Sequence, residues 1–140
     1  MLSFQINWLA FIVALIVTQV LGFLWYSMAL FGKPWMKAIG KTQKQLQAQS
    51  KPTDYVYTVV GAAIMLLVLV NVLGWVAAAT GAALSITGAA TVAAILWLGF
   101  VAPGATMNSV FEGRPWNLVW INNGYHLVNM VIAAVILTLL

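Results

Sequence analysis

Three polar side chains recur on one helical face near the end of the chain: Asn122, His126 and Asn129, at spacings of four and three. Gln19 and Asn71 interrupt other apolar runs, and Gln19, Gly22 and Tyr26 share a face at the same kind of spacing. Carboxamides, a phenol and an imidazole can bond uncharged polar groups or bond to one another. Two readings follow. These side chains cross-link helices and do nothing more, or they line a path or site for a small solute or ion. A third reading, a haem or quinone held near His126 with Trp120 and Tyr125, is limited by the single histidine and the lack of cysteine, which leave no second axial ligand.

Other chemistries lack their groups. The only acids, Asp54 and Glu112, flank apolar runs, so no carboxylate pair is available for acid–base work. No cluster of His, Cys and acid has metal-binding spacing, and no glycine-rich phosphate loop follows a strand. No acid is placed to complete a serine–histidine relay, and a gradient-driven pump usually needs a carboxylate within the membrane. The chain therefore reads as neither enzyme nor pump, with no metal and no cofactor. Glu112 and Arg114 are expected to pair locally.

The elements that position these residues follow from composition. Of 140 residues, 64% are hydrophobic and 6% charged, against about 45–50% and 25% in soluble domains. Mean hydropathy is +1.00. Six Lys/Arg and two Asp/Glu cannot cover a soluble surface of this size. Four apolar runs, about 4–31, 54–80, 84–110 and 116–140, each exceed the ~20 residues that span a bilayer. They are continuously apolar, without the two-residue alternation of a barrel, so each must satisfy its backbone as a helix. The fold class is all-α: one polytopic domain of four transmembrane helices. The first run has no basic leader and is too long for a cleaved signal peptide.

The charge of +4 is concentrated at Lys33, Lys37, Lys41, Lys44 and Lys51. That pattern marks loop 32–53 as cytoplasmic rather than as a nucleic-acid surface, and Arg114 falls on the same side two crossings later. Both termini are then extracytoplasmic. Within the loop, Trp35, Ile39, Thr42 and Leu46 repeat at helical spacing, with lysines on another face. This allows either a short helix against anionic lipids or a solvated loop. Pro52-Thr53-Asp54 supplies a cap and an acid for helix two; Gly81 can end it and Ser85 can cap helix three. The short connection predicts a tight hairpin of helices two and three, with Ala78, Ala82, Ser85, Ala89 and Ala93 allowing close packing within the hairpin or between protomers.

Phe31-Gly32-Lys33-Pro34-Trp35 echoes Phe111-Glu112-Gly113-Arg114-Pro115-Trp116. In both, Gly and Pro are expected to stop a helix, the basic residue to reach the phosphates, and Trp to anchor the interface. The echo suggests two helical hairpins in the same orientation, although convergence on a good interfacial stop gives the same pattern. Pro103 removes an amide that would bond the Gly99 carbonyl, so a kink is expected across Gly99, Pro103 and Gly104.

Asn7-Trp8-Leu9, Gly22-Phe23-Leu24-Trp25-Tyr26-Ser27 and Phe31-Gly32-Lys33-Pro34-Trp35-Met36 together resemble the bacterial "domain of unknown function 1761" family. The resemblance implies a short four-helix protein of the cytoplasmic membrane and brings no mechanism with it. Met28 stands where the family pattern often has proline, so no kink is carried over there. The expectation is thus a non-enzymatic inner-membrane protein that works by homo-oligomerisation or as an accessory subunit. The alternative is a passive channel or facilitator lined by Gln19, Tyr26, Asn71, Asn122, His126 and Asn129. The expected partners are the bilayer itself, anionic lipids at the lysine loop, and a second copy or a membrane complex.

Overall fold

The computed structural model describes residues 6–140, and these form helices and turns without a strand. In order they are α1 (Trp8–Trp25), α2 (Gly32–Ile39), α3 (Gln43–Gln49), α4 (Pro52–Thr80), α5 (Ile86–Leu96), a π segment (Trp97–Val101), α6 (Ala102–Phe111) and α7 (Trp116–Leu139). Four stretches are long and apolar enough to cross a membrane: α1, α4, α5 through α6, and α7. The expected start of helix one at Phe4 lies outside the described residues.

Helix one ends at Trp25, not Phe31. The Ser27 amide and hydroxyl both donate to the Leu24 carbonyl, and the amides of Phe31 and Gly32 turn back to the carbonyls of Trp25 (2.9 Å) and Ser27 (2.8 Å). The break forms with Met28 in place of a proline, because Ser27 gives the backbone a competing local partner. Gly32 does not terminate a helix. It opens α2, and a Cβ there would lie 2.6 Å from the Ser27 carbonyl carbon and oxygen. Gly113, by contrast, takes φ 68° just beyond α6 and does act as a stop. The two halves of the sequence echo thus use glycine for different reasons: close approach in one, left-handed backbone in the other.

Loop 32–53 holds two helices rather than one continuous face. Gly40 leaves α2 at φ 70°, and Thr42 caps α3 in a reciprocal box with Gln45. Helix α2 packs against α7. Helix α4 begins at Pro52, before the expected Asp54; the Asp54 carboxylate accepts the Lys51 amide at 2.9 Å. At their expected places, Gly81 ends α4 at φ 71° and Ser85 Oγ accepts the Gly88 amide. Glu112 and Arg114 pair at 3.2 Å in the open.

Helix α7 is the centre of the bundle, flanked by α1 and α5, while α4 packs on α1. The tight α4–α5 hairpin is not formed: despite the short link, these helices touch little. Ala89 and Ala93 are fully buried, but α5 packs chiefly on α7, and Ala78 and Ala82 are exposed. A short connection makes helices neighbours in sequence; the small-residue seam decides which helix is approached closely. The core joins Ala14 of α1, Leu66 and Leu69 of α4, Ala89 and Ala93 of α5, and Ala133 and Ala134 of α7. All of it lies toward the end of the bundle where α1 begins and α7 finishes, and there Asn7 Nδ2 donates to the Leu140 carbonyl at 2.9 Å.

The proline in helix three has a specific consequence. The Ala102 amide reaches back to the Trp97 carbonyl, a five-residue step, and Pro103 follows at once. The wide turn absorbs the missing amide. Gly99 and Gly104 are not points of close approach, since a Cβ on either would meet nothing within 4 Å.

Candidate ligand cavity

Opposite the alanine core the bundle opens. The first three turns of α4, Pro52 to Gly61, are exposed throughout. Helix α4 makes no substantial contact with the π segment or α6. Between α1, α4 and α7 lies a cavity of about 810 Å³, within the usual range for small-molecule sites.

Helix periodicity assembles its walls. Gln19, Gly22 and Phe23 come from one face of α1, and Tyr26 from the residue just past its end; Tyr55, Thr58, Ala62 and Met65 come from one face of α4. Tyr125, His126, Asn129 and Met130 come from α7, and Trp35 of α2 closes the end nearest the loop. All four tyrosines of the chain and its only histidine line this one space. None of its lining residues is Asp, Glu, Lys or Arg.

The rings pack on one another and on glycine. Tyr26 lies 5.0 Å from Trp35 and 5.4 Å from Tyr125 between ring centroids, and Tyr125 lies 5.2 Å from His126. A Cβ on Gly22 would sit 3.2 Å from the Tyr125 hydroxyl oxygen, and one on Gly124 would sit 3.3 Å from the Trp25 ring. Absence of side chains there is what admits the rings.

Polar bonds fix the cavity walls. Tyr26 OH donates to Asn122 Oδ1 at 2.8 Å, and Trp25 Nε1 donates to the Ile121 carbonyl at 3.0 Å. Across the gap, Thr58 Oγ1 lies 3.4 Å from Gln19 Oε1, a long contact, while bonding its own Tyr55 carbonyl at 2.8 Å. On the far side of α7, Trp97 Nε1 donates to the Asn123 carbonyl, and Asn123 Nδ2 donates to Thr106 at 2.9 Å, tying α6 to the bundle. Two buried carboxamide oxygens, Asn123 Oδ1 and Asn129 Oδ1, have no hydrogen-bond partner among the described residues, and of the two residues only Asn129 lines the cavity.

Of the residues singled out in the sequence, Gln19, Tyr26, His126 and Asn129 meet in this cavity, and Asn122 stands behind it as the partner of Tyr26. Asn71 does not join them. It is 3% exposed in the closed half, and its Nδ2 donates to the Leu67 carbonyl of its own helix at 2.7 Å. Trp120 is 71% exposed and is not among the lining residues. Because α1 ends at Trp25, Gln19 lies only about 9 Å along the helix from that end, at 1.5 Å per residue. On α7 the cavity reaches deeper, to Asn129, about 20 Å along the helix from Trp116 at 1.5 Å per residue. Trp35, Tyr55, Tyr57 and Thr58 were not apparent from polarity alone. Their signal was spacing: Tyr55, Thr58, Ala62 and Met65 repeat as one helical face.

Gly32 lets α2 fold back under α1, which brings Lys33 and Pro34 alongside Trp35 at the cavity's end; Lys33 and Pro34 are exposed. Arg114, Pro115 and Trp116 are exposed at the start of α7. No curated protein and no solved structure matches the chain. A family model described as "Protein of unknown function (DUF1761)" matches residues 9–138.

Proposed function

The chain belongs to the DUF1761 family, and from that premise we propose a non-enzymatic multi-pass membrane protein that holds a small uncharged ligand in the α1–α4–α7 cavity. One observation carries this reading: every tyrosine and the only histidine converge on a space whose lining has no charged side chain. A charged ligand placed there would lose its hydration without an ion partner. Uncharged hydrogen-bonding groups would meet phenols, carboxamides and imidazole. The closed half favours a one-sided site over a channel, since Ala10, Ala14, Leu66, Ala133 and Ala134 are buried there and its buried Thr18 and Asn71 bond carbonyls of their own helices.

In this reading the lysine loop and Arg114 face the cytoplasm, both termini lie outside, and the membrane is the bacterial inner membrane. Lys33 and Lys37, exposed on α2, lie close to anionic head groups. The cavity then opens toward the cytoplasmic leaflet. The chain has no cysteine, so sidedness is testable with single Gln47→Cys and Ala83→Cys variants in intact cells. An impermeant thiol reagent should label position 83 and spare position 47; the reverse pattern would invert the scheme. Ligand binding is testable by native mass spectrometry from mild detergent. A reproducible neutral adduct, lost in Asn129→Leu and Tyr125→Ala, is expected. A preparation without any such adduct, and without binding to uncharged amphipaths, would sink the reading.

A second reading, self-association or service as an accessory subunit, rests on α6. That helix buries none of its residues and presents Phe111 at 94% exposure. Disulfide crosslinking of a Met107→Cys variant in membranes should trap a dimer if copies meet there.

A further inference from the structure

A second opening adjoins the cavity. It is an apolar slot of about 320 Å³ between α4 and the α5–π segment, lined by Val68, Leu69, Leu96 and Phe100 together with Met65, Val101 and Met130. The last three residues also line the larger cavity. The two spaces therefore adjoin across these three side chains. One end offers rings, carboxamides and imidazole; the other offers only aliphatic, thioether and aromatic carbon. Methionines stand on two sides of the junction, where a flexible thioether can yield to a guest.

The junction exists because α4 and α5 stand apart. The alanine seam draws α5 to α7, and the π turn adds a residue to the helix where it faces the gap. Phe100 of the slot is 82% exposed and Tyr57 of the larger cavity 76%, both on surface that lipid would cover. A ligand dissolved in the bilayer can thus enter sideways, without crossing the head-group layer.

Resting on the ligand-binding reading above, we infer that the ligand is a neutral, ring-headed amphipath with a single aliphatic tail, the class of alkylated phenols and hydroquinones. Its ring sits among Tyr26, Trp35, Tyr125 and His126, and its hydroxyl lies against the Asn129 carboxamide, the buried amide that lines the chamber. Its tail lies in the slot, past Val101 toward Leu69 and Phe100. A ring is favoured over a branched head because the chamber's walls are aromatic faces, which stack on flat guests. A single tail is favoured because the slot has less than half the volume of the chamber. Binding alone is inferred, with no electron transfer.

The test uses the full chain in phosphatidylcholine nanodiscs, with equilibrium binding of radiolabelled decylhydroquinone and methylhydroquinone, protein-free discs being subtracted. The decyl compound should bind at least tenfold more tightly than the methyl compound. In Leu96→Phe, which fills the slot without touching the larger cavity, that gain should shrink to less than threefold while methyl binding persists. Partitioning into lipid would leave the gain intact, so a gain unchanged in Leu96→Phe overturns the tail assignment. Equal affinities in the unmodified protein overturn it too. Decanol competing as well as the ring compounds overturns the ring assignment. If neither hydroquinone binds but native mass spectrometry shows another neutral adduct, the amphipath class fails and the cavity reading survives. If nothing binds at all, both fail.

Discussion

The two ends of this bundle are made from the same four helices and behave oppositely. At one end Ala14, Ala89, Ala93, Ala133 and Ala134 have no exposure, and the helices close over a dry core. At the other, Tyr26, Trp35, Tyr55 and Tyr125 hold α1, α4 and α7 around an empty space, and the start of α4 stands free. In lipid no hydrophobic drive pulls helices together, so shape decides. Methyl-sized side chains let backbones meet. Rings meet each other at 5–6 Å and leave room between. One end stores stability and the other stores a site.

The contrast breaks most easily at its tightest points. Gly32→Ala should cost the most, about 3 kcal/mol or more, because its Cβ would lie 2.6 Å from backbone atoms that cannot swing aside. Unfolding in mixed detergent and SDS measures it, and faster proteolysis between α1 and α2 should accompany it. Ala133→Leu should cost about 1–3 kcal/mol by the same assay, since it overfills the closed end. Gly61→Leu on the open end is the matched control and should be neutral within about 0.5 kcal/mol, because a Cβ there meets nothing within 4 Å. If both substitutions cost the same, the two ends do not differ in packing. Trp25→Phe removes the indole bond to the Ile121 carbonyl, and Tyr26→Phe removes the bond to Asn122. Each should cost about 0.6 kcal/mol and not more than about 1.7. Tyr26→Phe should also alter ligand binding while Trp97→Phe, on the far side of α7, does not. The smallest effect is expected for Glu112→Ala. Its pairing with Arg114 is exposed and should contribute less than about 1 kcal/mol, with no change in binding.

Much of the fold was legible in the residues. Continuous apolar runs and a lack of charge leave helices across a bilayer as the only economical solution, and the ends at Gly81, Ser85 and Pro115 follow from local chemistry. The site was half legible. Intramembrane polarity marked Gln19, His126 and Asn129, but it marked Asn71 equally, and that side chain spends its amide on its own helix. Polarity does not say which way a residue faces relative to neighbours. The tyrosines of α4 were less visible because tyrosine near a helix end is equally well explained by the membrane interface.

What the sequence determined alone is the set of elements: helices of spanning length, their capped ends, and a charge-poor interior. These depend on a residue and its near neighbours, and on the cost of unpaired backbone in oil. What only the tertiary structure decided is partnership. The early stop at Trp25, the fold-back of α2 allowed by Gly32, the preference of α5 for α7 over α4, and the gap that results each depend on how closely two surfaces can approach. That distance is a property of pairs of helices, and no single helix carries it.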